Sequence, residues 1–213
     1  MALRLLAGGA AQPLVDRLRP LLDFEIDGTF SAVGAMRDKL LAGEPADLVI
    51  LSRALVEELA KSGHVVSETM ADVARVATAV AVRRGDPLPA IDDKAGLAAA
   101  LDRADEIHFP DPAQATAGIH FAKVMRDIGV WERVEPRLRR APNGNTAMRA
   151  LAASTAAHPI GCTQETEIRA TPGILLVGPL PPGCDLTTVY TAAVTTIARA
   201  PADAARFISL AIK

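Results

Sequence analysis

The sequence predicts an α/β protein of two lobes, each a mixed, mostly parallel sheet flanked by helices, with the first lobe discontinuous along the chain. Three observations point to this. Short apolar runs of strand length alternate with segments of 3.6-residue apolar period, which is the rhythm of βα units. A cluster of turn formers, Gly85, Asp86, Pro87 and Pro89, interrupts that rhythm, which then restarts. A second break, at Pro179, Pro181, Pro182 and Gly183, precedes a β-branched run from Val189 to Ile197 that returns toward the first lobe. The predicted lobes are 1–80 with 187–213, and 81–186. A lobe of about 100 residues can build a core of its own.

The elements follow in order. Leu3 to Ala7 reads as a buried strand, and Gln12 to Leu22 as a helix with Leu14, Val15, Leu18 and Leu21 on one face. Phe24 to Phe30 is a second strand; Ser31 is placed to cap a helix from Ala32 to Ala42, which Gly43 stops. Leu48 to Leu51 is continuously apolar, as a strand covered on both faces is, and Ser52 is placed to cap a helix from Arg53 to Lys61. Val73 to Arg83 is β-rich and leads to the crossover. In the second lobe the pattern predicts helices at Lys94 to Asp102, Ala117 to Ile128, Trp131 to Leu138 and from Asn145 to about Ala156. Strands are predicted at Ile107 to Phe109, Ile160 to Thr163 and Ile174 to Val177, and a last helix at Ala202 to Leu210.

Composition narrows the function. The 213 residues are 50% hydrophobic and 23% charged, with a net charge of -2 and scattered Lys and Arg, so there is no basic stripe for nucleic acid. Apolar runs such as Ala77 to Val82 fall far short of the roughly 18 residues a bilayer span needs, which excludes membrane insertion. Arg4 followed by Leu-Leu-Ala-Gly-Gly-Ala-Ala looks superficially like a leader. Only Leu5 to Ala7 precede the glycines, however, where a secretory core needs roughly 7 to 15 apolar residues. The sequence as written therefore predicts a cytoplasmic protein, or a periplasmic one if a leader precedes it. Cys162 and Cys184 are expected as reduced thiols. No HExxH, paired CxxC, GxSxG or Walker loop occurs, so neither metal nor cofactor is expected.

Ligands of open α/β sheets sit beyond the carboxyl ends of the strands. Five turns precede helices there: 8–12, 31–36, 110–118, 143–146 and 163–167. Each presents main-chain N–H groups and the positive end of a helix dipole, an arrangement suited to an anion.

Two stretches in these surroundings resemble a known family. Ala42-Gly43-Glu44-Pro45-Ala46-Asp47-Leu48-Val49-Ile50 resembles the AGAPADLF stretch of periplasmic molybdate-binding proteins. Asp111-Pro112 through Thr116-Ala117-Gly118-Ile119, with Ala122-Lys123, resembles their DP…PAGxYA segment and the cation after it. The order of elements also matches, so the resemblance covers nearly the whole chain. It implies the type II periplasmic-binding-protein fold with a ligand cleft between the lobes, a small anionic ligand, and a membrane transporter as partner if the protein is exported.

The pocket departs from that family. Gly9 and Val33 stand where the family has ligand-binding serines, and Gln164 stands where it has a tyrosine; Ala117 and, more loosely, Thr146 match its main-chain donors. Losing two hydroxyl donors disfavours molybdate, since hydrogen bonds to charged groups contribute roughly 1.5 to 3 kcal/mol each. Gln12, Ser31, Asn143, Asn145, Thr146, Arg149, Thr163 and Gln164 form a set better suited to several carboxylates. With Gly8, Gly9, Ala10, Val33, Gly34, Thr116, Ala117 and Gly118 lining the turns, these are the candidate ligand-binding residues. Local roles stay open for some: Ser31 as a helix cap, Arg149 as a solvated charge, the asparagines as turn formers.

Two functions fit. One is a solute-binding protein or sensor for a small anion, more readily a carboxylate than an oxyanion such as molybdate. The other is an isomerase on the same frame, similar to an aconitate isomerase that resembles the molybdate-binding proteins, moving a proton on a tricarboxylate. For that chemistry His120, Glu165 and Glu167 are the candidates, because each lies at or beside a turn.

Overall fold

In the computed structural model of the chain, which describes residues 2–213, the N-terminal apolar run becomes β1, Leu3–Gly8. α1, Gln12–Leu18, follows a 3-10 turn over Gly9–Ala11. The predicted helix to Leu22 is shorter than expected: its last turn, Arg19–Leu21, is 3-10, with Pro20 supplying no N–H for an α-helical bond. β2, Ile26–Ser31, takes in Ser31, so the cap position of α2, Val33–Leu41, falls to Ala32. β3, Leu48–Ser52, is fully buried from Leu48 to Leu51, and α3, Arg53–Lys61, follows at once. Ser52 stands at the cap position of α3, but its side chain makes no capping bond.

The chain divides into two compact units. One runs up to Arg75 and resumes at Thr188–Lys213; the other is Val76–Thr187. β4, Ala71–Arg83, carries the chain into the second unit. There follow α4, Lys94–Arg103; β5, Glu106–Pro110; α5, Thr116–Asp127; α6, Trp131–Val134; β6, Leu138–Ala141; α7, Gly144–Ala153; β7, Pro159–Gln164; α8, Glu165–Ala170; and β8, Ile174–Pro179. β9, Thr187–Val194, leads back to the first unit and α9, Pro201–Ala211, ends it. One predicted element changes type. The helix expected to reach Leu138 stops at Val134, a 3-10 turn through Pro136 follows, and Leu138–Ala141 adds to β5 as a parallel edge strand.

In the first unit the sheet order is β2-β1-β3-β9, parallel except for β9 against β3. The turns that follow β1, β2 and β3 therefore share one edge of that sheet. The unit is pinned by Asp47, which is 1% exposed. Its carboxylate accepts from the Arg4 main chain at 2.8 Å, from Arg4 Nε at 3.2 Å and Nη2 at 3.1 Å, and from the main-chain N–H of Arg199 at 2.6 Å and Ala200 at 3.2 Å. Burial alone pushes this carboxyl upward; the Arg4 guanidinium and main-chain bonds outweigh it and bring it down to about 2. One residue thus ties β1, the start of β3 and the approach to α9.

The second unit has the order β4-β7-β5-β6, with β8 on the other side of β4. Its sheet is mixed: β5 runs parallel to β6 and β7, while β4 is antiparallel to β7 and β8. One face packs Leu97, Leu101, Phe121 and Met125 around Phe109, whose ring meets that of Phe121 edge-on at 5.8 Å. The other face buries Met148, Leu151 and Ile168 from α7 and α8. Cys162 and Cys184 are buried and not joined in a disulfide, and burial pushes both thiols up.

Candidate functional site

In the first unit Gly8, Gly9 and Ala10 are buried where β1 turns into α1, and Gly8 lies in parallel register with Ser31 at the end of β2. Val33 and Gly34 open α2, also buried, while Gln12 and Ser31 are half-buried. Neither α1 nor α2 has a side-chain cap: the cap positions are Ala11 and Ala32. Gly8 has no room for a side chain, since a Cβ there would stand 2.7 Å from Val33 Cγ1 and 2.9 Å from Tyr190 Cε1. Tyr190, on β9 and 3% exposed, is the chain's single tyrosine. Its ring floors the turn after β1, a place the sequence pattern did not reveal because Tyr190 reads as one more residue of a β-branched strand. Val33 and the Tyr190 ring make this turn more apolar than two serines would.

In the second unit the turn before α5 is shaped by Asp111. Its Oδ1 accepts from the N–H of Ala113 at 2.7 Å and of Gln114 at 3.2 Å, and its carbonyl accepts from Ala115 at 3.1 Å. Thr116, Ala117 and Gly118 open α5 behind Ala115, which offers no capping side chain. Gly118 is packed so tightly on that turn that a Cβ would lie 2.3 Å from the Pro110 carbonyl oxygen. His120 was expected to open onto the site; instead its Nε2 donates to the carbonyl of Cys184 at 2.7 Å. A carbonyl only accepts, so that nitrogen carries a proton.

The turn before α7 differs. Asn143 Oδ1 accepts from the Thr146 N–H at 2.9 Å, so the Thr146 donor is spent on a helix cap. The Asn145 N–H goes to Glu167, as does the Gln164 N–H, and Thr163 Oγ1 donates to Glu167 Oε2 at 2.6 Å. Asn145, Thr146 and Thr163 were expected to offer these donors to a solute; in this arrangement the protein uses them itself. Gly144 is where the carboxylate lies on the helix start: a Cβ there would be 1.9 Å from Glu167 Oε2 and 2.2 Å from Thr163 Oγ1. Gly144 is thus a structural necessity that its Asn-Gly-Asn setting disguised as an ordinary turn.

Glu167 is 5% exposed. Burial pushes its carboxyl up, and the bonds from Thr163, Gln164 and Asn145 pull only part of the way back, leaving it at about 7. Its partners place it inside the unit, against the expectation of a solute-facing proton carrier. Glu165 accepts from Arg169 Nε at 2.7 Å, and Arg149 Nη2 donates to Thr146 Oγ1 at 3.2 Å on an exposed face. Gln164 is buried at the end of β7, in register with Thr78 of β4. Among the described residues no group of three or more His, Cys, Asp or Glu side chains is placed to hold a metal ion, and no helix is long and apolar enough to cross a membrane.

A mixed α/β frame with helix starts gathered at the strand ends of each unit is the arrangement in which open α/β sheets receive ligands. The chain belongs to the bacterial extracellular solute-binding protein family, whose model matches residues 7–212. Solved structures agree on the fold. The periplasmic molybdate-binding protein of Azotobacter vinelandii matches at a TM-score of 0.81 with 15% identity, over 99% of this chain and 93% of that one. The sulfate-binding protein SubI of Mycobacterium tuberculosis H37Rv matches at 0.80 with 18% identity, over 100% and 82%. A curated relative, an aconitate isomerase from a Pseudomonas species, is 28% identical over 174 residues, which is 81% of this chain and 63% of that protein. This chain therefore spans less than two thirds of that relative's length.

Proposed function

We propose that the chain binds a small anion bearing one or more carboxylates, as the solute-receiving component of a transporter or as a sensor. The observation that carries this reading is that α1, α2 and α5, which follow β1, β2 and β5 at the strand ends, begin on alanine with no capping side chain. α3, α6, α8 and α9 are uncapped as well, and among the described helices Asp93 and Asn143 cap α4 and α7. A helix start of that kind is a ready anion site. Val33 at the start of α2, in place of a hydroxyl-bearing residue, supports an organic anion over a compact oxyanion, because its side chain offers no hydrogen-bond donor. Gln12, Ser31, Thr116, Ala117 and Gln164 are the proposed solute contacts.

The test is thermal unfolding with molybdate, sulfate, citrate, cis-aconitate and trans-aconitate. A ligand at 100 times its dissociation constant stabilises by about 2.7 kcal/mol. A carboxylate is expected to raise the melting temperature; a response to molybdate and sulfate alone would overturn the reading.

The similarity to an aconitate isomerase favours a second reading, proton transfer on a bound tricarboxylate. Burial raises the Glu167 carboxyl to about 7, in the range where a group can exchange a proton at neutral pH, but it is enclosed, and His120 and Glu165 are each held by an internal partner. Deuterium exchange from solvent into the methylene of bound aconitate is the discriminating measurement. Its absence leaves binding alone.

A further inference from the structure

The second unit carries a cavity of about 330 Å³ at the end of its sheet away from the start of α8. Val82, near the end of β4, and Ile160, near the start of β7, are register partners and lie side by side at its base. Ala100 on α4 and Ala104 just past its end form one wall, and the segment Pro87-Leu88-Pro89 forms the other. Space remains here because the two alanines share one face of the helix and bring only methyl groups to it, while each proline fixes its own φ and stiffens the opposite wall. β7 begins at this cavity and ends at Gln164, so about 17 Å of strand separates the cavity from the turn before α8.

The walls are apolar and the rim is basic. Leu88 is 60% exposed, so a large apolar side chain stands in water beside an apolar hollow. Arg103 and His158 are exposed at the rim, and among the described residues neither side chain has a hydrogen-bond or ion-pair partner. The acidic groups around them are engaged. Asp86 Oδ1 accepts from Arg83 Nη2 at 2.9 Å, Asp105 Oδ2 accepts from the His158 N–H at 2.9 Å, and Asp102 accepts from Arg133. Asp86 Oδ2 is closed off from solvent, so it offers nothing to a guest entering there. An apolar cavity of roughly 150 Å³ holds a benzene ring, and small-molecule sites begin at about 300 Å³. There is room for a ring or a short alkyl chain with one charged arm. We propose that this cavity is a second ligand site, for a small amphiphilic monocarboxylate whose apolar body lies between α4 and the proline segment and whose carboxylate meets Arg103. The site is separate from the solute turns and does not depend on what they receive.

Amide chemical shifts of the whole chain, recorded as 3-phenylpropionate is added, read both affinity and place. Saturable changes are expected at Val82, Leu88, Ala100 and Ala104, with a dissociation constant of about 0.1 to 1 mM for a ligand of about eleven non-hydrogen atoms. Acetate has the charge without the body, and 3-phenylpropylammonium has the body with the opposite charge. Each should bind at least about fivefold more weakly. Ala100→Leu fills the cavity and should abolish the changes at Leu88, and Arg103→Gln should weaken binding about threefold. Both variants should respond to citrate and the aconitates as the parent does. If Ala100→Leu does not fold, the parent's map and the surface variant Arg103→Gln decide the matter. Unchanged affinity in Ala100→Leu, changes confined to the solute turns, tighter binding of the ammonium, or no saturable change at all overturns the proposal.

Discussion

The two units each bury one carboxylate, and the pair shows how a fold decides whether such a group is a fixed charge or a proton carrier. Asp47 in the first unit and Glu167 in the second are 1% and 5% exposed, and each accepts several main-chain N–H bonds. Two things differ: a guanidinium meets Asp47, and Glu167 lies deeper inside its unit with fewer main-chain donors. Arg4 meets Asp47 through two nitrogens and holds its carboxyl at about 2, whereas Glu167 has a hydroxyl instead and rises to about 7. Neutral hydrogen bonds thus offset only part of the cost of burying a charge, and an opposite charge supplies the rest.

The largest expected effect comes from breaking the charged pair. Asp47→Ala strands Arg4 and the N–H groups of Arg199 and Ala200, and urea unfolding should show a loss of about 3 kcal/mol. A loss below about 1 kcal/mol would show that the pin is ornamental.

The pH dependence should have two limbs of opposite sign. Asp47 is depressed, so its contribution is present above the ordinary range of an aspartate and is lost as pH falls toward about 2. Glu167 is raised, so its contribution is complete below the ordinary glutamate range and is lost as pH rises through about 7, by about 3 kcal/mol in all. Glu167→Gln should flatten the alkaline limb and leave the acid limb intact, as followed by denaturant midpoints from pH 3 to 9. An unchanged alkaline limb would mean that another group carries it.

Gly144→Ala places a methyl on the Glu167 carboxylate, and a loss of about 1 to 3 kcal/mol is expected in the same assay. Smallest is His120→Ala, which removes one bond to the Cys184 carbonyl and should cost about 1 kcal/mol with solute affinity unchanged. A large drop in affinity would return His120 to the site.

Much of this frame was legible in the sequence because apolar period and turn chemistry are local. Leu48 to Leu51 reads as a strand covered on both faces, and that is how β3 lies. The recognised stretches proved to encode scaffold: Asp47 pins the first unit and Asp111 shapes the turn before α5. β6 was missed because Leu138–Ala141 has no alternating pattern and depends on β5 for its pairing. The site was harder still. Asn145, Thr146 and Thr163 were identified by type; the Asn143 cap on Thr146 and the Thr163 bond to Glu167 are short-range and readable in principle, whereas the Asn145 bond to Glu167 joins residues far apart in the chain. Tyr190 reaches the turn after β1 only through a register between β3 and β9 that pairs residues far apart in the chain.

The central claim is that the uncapped helix starts receive a small carboxylate. Isothermal titration of the whole chain with citrate, cis-aconitate, trans-aconitate, molybdate and sulfate tests it directly. Saturable binding of a carboxylate at one site per chain, at least about tenfold tighter than either oxyanion, is the expected result. Heat from the oxyanions alone, or from none of the five, would contradict the account.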